Sequence, residues 1–310
     1  MISILLELLR ISPIDRTLQN KLYKLHPSFP HLFPAKRLES YPILSEYIST
    51  VIHTITFGMF FYFLFCTIDY VYFFKIKKSK FIPKLEGKFF ILQDITASME
   101  NMLKEAFLVA LIRVAHPRLS FAYYNVNDYP LWWIPLSICL HMIFDETCTY
   151  WAHRWLHTYK FLYQNMHIIH HRSVDVTPYA AFAFHYFDAF MQAAPTFLSC
   201  FFFPLHINII LVWSFITMCW AISIHDNVPA LPFKIFLYST HHTIHHERGE
   251  GSFKNYGKFT SVWDRMMGTY DDPDRIDFGF KSPIKDALEP ANSALAKITK
   301  SSANSPKKSL

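Results

Sequence analysis

The stretch that decides the reading of this chain is HIIHH at residues 167–171, with its counterpart HTIHH at 242–246. A third run, His153 and His157 in HRWLH, precedes them, so eight of the 17 histidines fall in three short groups: His153 and His157; His167, His170 and His171; His242, His245 and His246. Two chance copies of His-x-x-His-His are improbable at this histidine frequency, and the set carries the signal rather than any member. On a helix, residues at i and i+4, or at i, i+3 and i+4, share one face, so each run is expected to aim its imidazoles at a common point. Neutral imidazole is a good ligand for zinc, copper, iron and nickel. Eight imidazoles exceed what one tetrahedral zinc can use, and two adjacent metal ions fit the number better.

The surroundings are apolar. The chain has 310 residues, 52% hydrophobic, 18% aromatic and 17% charged, which points to a membrane protein rather than a soluble domain. Residues 50–74, TVIHTITFGMFFYFLFCTIDYVYFF, are long enough to cross a bilayer. The lysines from Lys75 to Lys80 follow at once and place that end in the cytosol, leaving the N-terminus lumenal. A weaker span at 102–122 is interrupted by Lys104, Glu105 and Arg113, and a better one at 131–151 opens on Trp132 and Trp133 as an interfacial anchor. The apolar region 186–224, with Pro195 and Pro204, reads as a hairpin that enters and leaves on the cytosolic side. The expected fold class is all-α: a multi-span membrane helical bundle of about four spans or hairpins, with a cytosolic-side histidine-rich helical cap holding a di-metal centre.

Four regions follow. Residues 1–49 form an N-terminal amphipathic, lumenal segment, a poor match to a signal peptide; 50–130 hold the first spans and a basic cytosolic loop; 131–275 form the domain that carries the histidine runs; 276–310 are a flexible cytosolic tail. That tail ends KKSL, similar to the dilysine address of endoplasmic reticulum membrane proteins. The five cysteines lie in apolar runs without CxxC spacing, so neither a disulfide framework nor a thiolate metal site is expected. The net charge of +6 sits in short groups without the aromatic interleaving of a nucleic-acid groove, which excludes that partner class. Oligomeric state leaves no mark in the sequence.

Further polar residues are candidates around the centre. His185 in AFHYFD and His225 in SIHDN stand at the ends of the hairpin, as ligands or as donors behind ligands, and His241 lies four residues before His245. Asp145 and Glu146 precede the first run inside an apolar segment, where a carboxylate is costly unless paired. Either one of them accepts a hydrogen bond from a ligand imidazole or they pair with Arg154 or Arg172; Asp226 invites the same two readings. His53 and His141 read as satisfied polar groups within a bundle.

The order HxxxH, HxxHH, HxxHH at membrane boundaries resembles the fatty acid hydroxylase and sterol desaturase superfamily. The text YWAHRWLH, LYQNMHIIHHRSVDVTPYAAFAFHYFDAFMQAAP, AISIHDN and HHTIHH followed by NYGKFTSVWDRMMGTY is similar to its sterol C-5 desaturase, or lathosterol oxidase, branch from about residue 55 to 275. The chain departs from that pattern at Asn227, where the family usually has Gly; at Val176 and Tyr186, where it has Pro; at Lys258, where it has Gln; and at Ile168, where it has Lys. The resemblance implies two non-haem iron ions on the box histidines, O2 as co-substrate, and electrons from cytochrome b5 and its NADH-dependent reductase. It also implies a sterol drawn from the bilayer, conversion of a 7-ene sterol to the 5,7-diene, and residence in the endoplasmic reticulum membrane, multi-pass, with the boxes and C-terminus cytosolic. Thr177 and Phe184 are candidate substrate contacts. The nearest rivals on the same scaffold are a C-4 methylsterol oxidase and a lipid hydroxylase; a divalent-metal transporter is the rival from another class.

Overall fold

The computed structural model describes residues 42–275 apart from 83–88, 229–233 and 248. Most of the expected amphipathic N-terminal segment, and the tail ending in KKSL, lie outside these residues. The described chain is mostly helical: α1 Pro42–Asp69, α2 Lys78–Phe81, α3 Ile91–Leu119, α4 Trp133–Thr158, α5 Lys160–Asn165, α6 Tyr186–Leu198, α7 Ile207–Ile224, α8 Ser239–His246 and α9 Val262–Met266. A wider-wound turn, Tyr70–Ile76, extends α1, and a parallel pair of two-residue strands joins β1 Ala122–Tyr123 to β2 Leu205–His206.

Among the described residues, two helical stretches are long and apolar enough to cross a membrane, Ile43–Ile76 and Ile207–Ile224. The region expected to be a hairpin is asymmetric. α6 has 13 residues, about 20 Å of helix and short of a full crossing, whereas α7 has 18. The turn between them holds Pro204, whose carbonyl accepts from Trp133 Nε1 at 3.1 Å.

α4 carries its polar residues inward. Ser137, His141, Asp145, Thr149, His153 and His157 recur every four residues and are all buried, while Leu136, Met142, Ile143 and Trp155 point outward. One helix face is thus a polar stripe that begins among neighbouring helices and ends in the first histidine run. Asp145 is the hub of its lower half: Oδ1 accepts from Thr196 Oγ1 at 2.8 Å, and Oδ2 accepts from Trp213 Nε1 at 2.8 Å and Lys258 Nζ at 2.7 Å. This one carboxylate joins α4, α6, α7 and the segment after α8.

A short turn, Pro178–Phe182, follows the second histidine run and is pinned by donors from α1 and α3. Tyr62 Oη and Ser98 Oγ both donate to the Tyr179 carbonyl, at 2.8 and 3.1 Å, and Cys66 Sγ donates to that of Pro178 at 3.2 Å. A turn this short leaves carbonyls without helical partners, and burial makes an unpaired carbonyl costly, so hydroxyls on the long helices complete it. Asp94 on α3 accepts from Ser173 Oγ at 2.9 Å and from Arg172 Nη2 at 3.2 Å, tying the end of the same run to that helix.

The Asp145–Lys258 pair gives a test of the packing. Lys258→Met leaves the fully buried Asp145 carboxylate without its cation and should cost about 3–5 kcal/mol. Lys258→Gln keeps a donor in reach and should cost much less. Thermal unfolding of the two variants in detergent measures the difference; equal melting temperatures would contradict the role given to this pair.

Candidate metal centre

The three histidine runs reach one place by three kinds of turn. His153 and His157 lie one turn apart at the end of α4, the second run winds as a tight three-residue-per-turn helix over His167–Arg172, and the third is α8 itself. Two groups of imidazoles form. His153, His157, His167, His171 and His245 make one, and His170, His225, His242 and His246 the other, with the donor atoms of each group within 4.8 Å of one another.

The expectation that each run converges on its own point is corrected by this division. In both HxxHH runs the adjacent pair is split: His171 and His245 enter the first group, His170 and His246 the second. Neighbouring residues point about 100° apart on an α-helix and about 120° apart on the tighter helix of the second run, so a doublet serves two centres where a single histidine serves one. The groups abut, with the His171 and His246 rings stacked at a centroid separation of 4.5 Å.

Five rings have their tautomer fixed from behind. The Nδ1–H groups of His153, His225, His245 and His246 donate to the carbonyls of Tyr256, Ala221, Lys254 and Ser173 at 3.0, 2.6, 2.8 and 3.0 Å. His167 Nδ1–H donates to the buried Asp188 Oδ2 at 2.7 Å. A carbonyl only accepts, so each neutral ring presents a bare Nε2 lone pair to the interior. Those nitrogens crowd: His245 Nε2 lies 3.1 Å from the Nε2 atoms of His157 and His171, and His246 Nε2 lies 3.0 Å from those of His170 and His242. Converging lone pairs of this number repel unless a cation lies among them.

Burial keeps the rings neutral. Loss of hydration, with the neighbouring His167 adding to it, pushes the His153 imidazole down to about 3, and burial lowers His225 to about 4. His170, His171, His245 and His246 fall well below the ordinary histidine range for the same reason, each reinforced by neighbouring imidazoles. Unprotonated imidazoles are the form that binds metal. The residues therefore fit two metal ions, and a group of five nitrogen donors exceeds the four of a tetrahedral zinc site.

The other candidates divide. His225 joins the second group, filling the place that the first run, with both members in the other group, leaves open. His185 caps α6, its Nδ1 accepting from the Phe187 amide at 3.3 Å, and belongs to neither group. His241 is turned away, accepting from the Tyr238 amide at 3.3 Å. Glu146 and Asp145 hydrogen-bond no imidazole and do not pair with Arg154 or Arg172: Glu146 accepts from the amides of Phe259 and Thr260 at 3.1 and 2.8 Å. Asp226 accepts from the Val228 amide at 2.6 Å, closing the turn after His225. Phe184 stacks on His170 at 4.1 Å, and Thr177 is buried with its hydroxyl unpartnered among the described residues.

The fatty acid hydroxylase family model matches residues 138–269, the span that holds all nine of these imidazoles. The Delta(7)-sterol 5(6)-desaturase erg31 of Schizosaccharomyces pombe is 32% identical over 71% of this chain and 72% of its own length. The lathosterol oxidases of Rattus norvegicus and Homo sapiens are each 30% identical, over 86% and 82% of this chain and 89% and 84% of theirs. The chain belongs to the fatty acid hydroxylase family. Within it, the similarity is to the sterol 5(6)-desaturases, and the chain is an oxidoreductase of that kind. No solved structure matches it.

Set against the family pattern, the departures have physical reasons. Asn227 has φ 59°, the left-handed region that Gly enters freely and Asn more readily than other residues, so it can stand for the usual Gly. Its side chain adds two ties, donating to the Val176 carbonyl at 2.7 Å and accepting from Thr243 Oγ1 at 2.9 Å. Tyr186 is the first residue of α6, the position where Pro is favoured, and Ile168 is exposed.

Asp188 is the residue that reading the sequence missed. It is the only charged side chain between Tyr186 and Ile224, and a lone carboxylate in so apolar a run is itself a signal of function. It holds His167 through Oδ2 while Oδ1 accepts from Gln192 Nε2 at 2.7 Å. Asp188→Ala should lower metal affinity about 10–100-fold, as loss of a carboxylate behind a ligand imidazole does elsewhere. Metal content after dialysis against a graded chelator reads this, and unchanged retention would remove Asp188 from the centre. Gly257→Ala tests the backbone behind His153: a Cβ there would clash with the Thr260 carbonyl and lie 2.5 Å from Leu237 Cδ1, so lower thermal stability and partial loss of metal are expected together.

Proposed function

We propose that this protein is a membrane-bound non-haem di-iron sterol desaturase that introduces the 5(6) double bond into a 7-ene sterol, using O2 and electrons from a cytochrome b5-type carrier. The observation that carries the proposal is the pair of adjoining all-histidine groups in a chain whose relatives are Delta(7)-sterol 5(6)-desaturases and lathosterol oxidases. His153, His157, His167, His171 and His245 would hold one iron, and His170, His225, His242 and His246 the other. Bound there, the iron pair would supply an O2-derived oxidant strong enough to take hydrogen from an unactivated carbon, which no side chain can do.

The chain's own part is to bind, orient and exclude water. Carbonyls of Tyr256, Ala221, Lys254 and Ser173, with Asp188, hold five imidazoles by their Nδ1 protons and leave Nε2 to the metals. Phe184, against the His170 ring of the second group, and the buried Thr177 hydroxyl are the proposed substrate contacts. The reaction balances when O2 accepts two hydrogens with their electrons from the neighbouring sterol carbons and two electrons with two protons from the donor side, leaving as two waters.

The lysines support an orientation. Val228, just after the His225–Asp226 turn, packs with Phe74 and Ile82, so the histidine cap lies at the end of α1 that carries Lys75 to Lys80. A basic flank supports a cytosolic side for the cap, within reach of the cytochrome b5-type carrier and of a sterol entering from the bilayer. The four-region division, the multi-pass topology and residence in the endoplasmic reticulum belong to this proposal.

Expression in a yeast strain lacking its own sterol C-5 desaturase, followed by gas chromatography of the sterols, tests it. A 5,7-diene is expected. A hydroxylated or C-4 demethylated product, or no new sterol in cells that make the protein, would overturn the desaturase assignment in favour of a relative with another outcome. His170→Ala should abolish the diene while leaving membrane insertion intact, and the purified protein should hold iron at about two per chain, one for each histidine group.

A further inference from the structure

A carboxylate sits where the membrane-crossing part of α1 should be apolar. Asp69 lies at the end of that helix, inside the stretch Ile43–Ile76, and its Oδ1 is buried with no hydrogen-bond partner among the described residues. An ionisable group in such a segment is costly, and those that are kept face a pathway or a ligand. Asp69 does face one: among the described residues it is the only carboxylate lining a cleft of about 240 Å³ whose other walls are Phe65, Ile68, Tyr72, Phe73, Cys219 and Ile222. Ile68 and Tyr72 beside it are exposed on the outer surface of α1 and its extension, so the cleft opens toward lipid.

Its inner wall leads to the metal centre. Ile222, from α7, lines the cleft, and the Ile222 carbonyl accepts from the amide of His225, the member of the second group one turn further on. The cleft is smaller than the roughly 300–1,000 Å³ that enclose a whole drug-sized ligand, so it suits one end of a larger molecule. A molecule that enters from lipid, is apolar over nearly all its surface and offers one hydrogen-bond donor would satisfy both the walls and the Asp69 carboxylate.

We propose that this cleft seats the hydroxyl-bearing ring of the sterol, with Asp69 accepting a hydrogen bond from that hydroxyl. The assignment rests on the sterol reading above and sharpens it. A sterol carries its hydroxyl on the ring fused to the one being desaturated, a few bonds from the reacting carbons, and the separation of about one helical turn, roughly 5 Å, between Ile222 and His225 is of that order. Asp69 is thus a specificity-determining residue, selecting a free alcohol over an ester or ether and fixing the sterol's depth so that the same carbons meet the centre each time.

The test uses the full chain in lipid nanodiscs with tritiated lathosterol and its 3-methyl ether, which has no hydroxyl proton to donate. Wild type should bind the free sterol about tenfold or more tightly over the ether. Asp69→Leu should lose that preference by weakening binding of the free sterol alone, and Asp69→Asn, which still accepts, should keep part of it. Filling the cleft by Cys219→Phe should weaken binding of both. Iron content equal to wild type in the Asp69 variants separates loss of recognition from collapse of the histidine cap. Equal binding of the two probes by wild type, or an undiminished preference in Asp69→Leu, would overturn the assignment. Binding is read without turnover, so failure to make the diene defeats the desaturase reading, whereas diene formation without a preference for the free alcohol defeats only the role of Asp69.

Discussion

Nine imidazoles can converge only if their protons are turned away, and the structure is arranged around that requirement. Each fixed ring spends its Nδ1–H on an acceptor that cannot reciprocate: four backbone carbonyls and one buried carboxylate. Those acceptors lie on four separate stretches: the loop beyond α8 at Lys254 and Tyr256, the inside of α7 at Ala221, the end of the second run at Ser173, and α6 at Asp188. Anything that moves one of these stretches rotates a ring. The helices therefore serve the carbonyls as much as the histidines.

This explains why so many buried polar contacts sit far from any histidine. Asp264 accepts from the Tyr256 and Gly257 amides at 2.8 and 2.9 Å, and Glu146 and Asp145 anchor the next residues, Lys258 to Thr260, to α4. Together they fix the Tyr256 carbonyl that faces His153. Asp94 does the same for Ser173 and so for His246. Such carboxylates are individually expensive to bury, and each of these four is offset by two or more donors. The result is a rigid cap carried on helices whose outer faces are apolar enough for lipid.

The contrast between Asp145 and Asp188 shows where reading the sequence succeeded and where it stopped. Both are carboxylates in apolar surroundings, and both signal that something must pair with them. Asp145 drew attention by standing beside the first run, yet its partners are Lys258, Trp213 and Thr196, brought from other helices. Asp188, 21 residues from its histidine, is the carboxylate that holds a ring. Proximity along the chain was a poor guide because the helix that carries Asp188 folds back over the second run.

The sequence by itself determined the helical class, the apolar segments and the three histidine runs, because these depend on composition and on spacing within a single turn. It also carried the kinship with sterol desaturases, through short ordered motifs that do not need coordinates to be recognised. Only the tertiary structure decided how the nine imidazoles divide into five and four, that His225 completes the smaller group while His185 caps a helix, and that Asp69 faces a cleft instead of solvent. Those outcomes depend on which way a side chain points and on what another segment brings to meet it. Local periodicity fixes a face, but the partner of that face is set by packing between residues far apart in the chain.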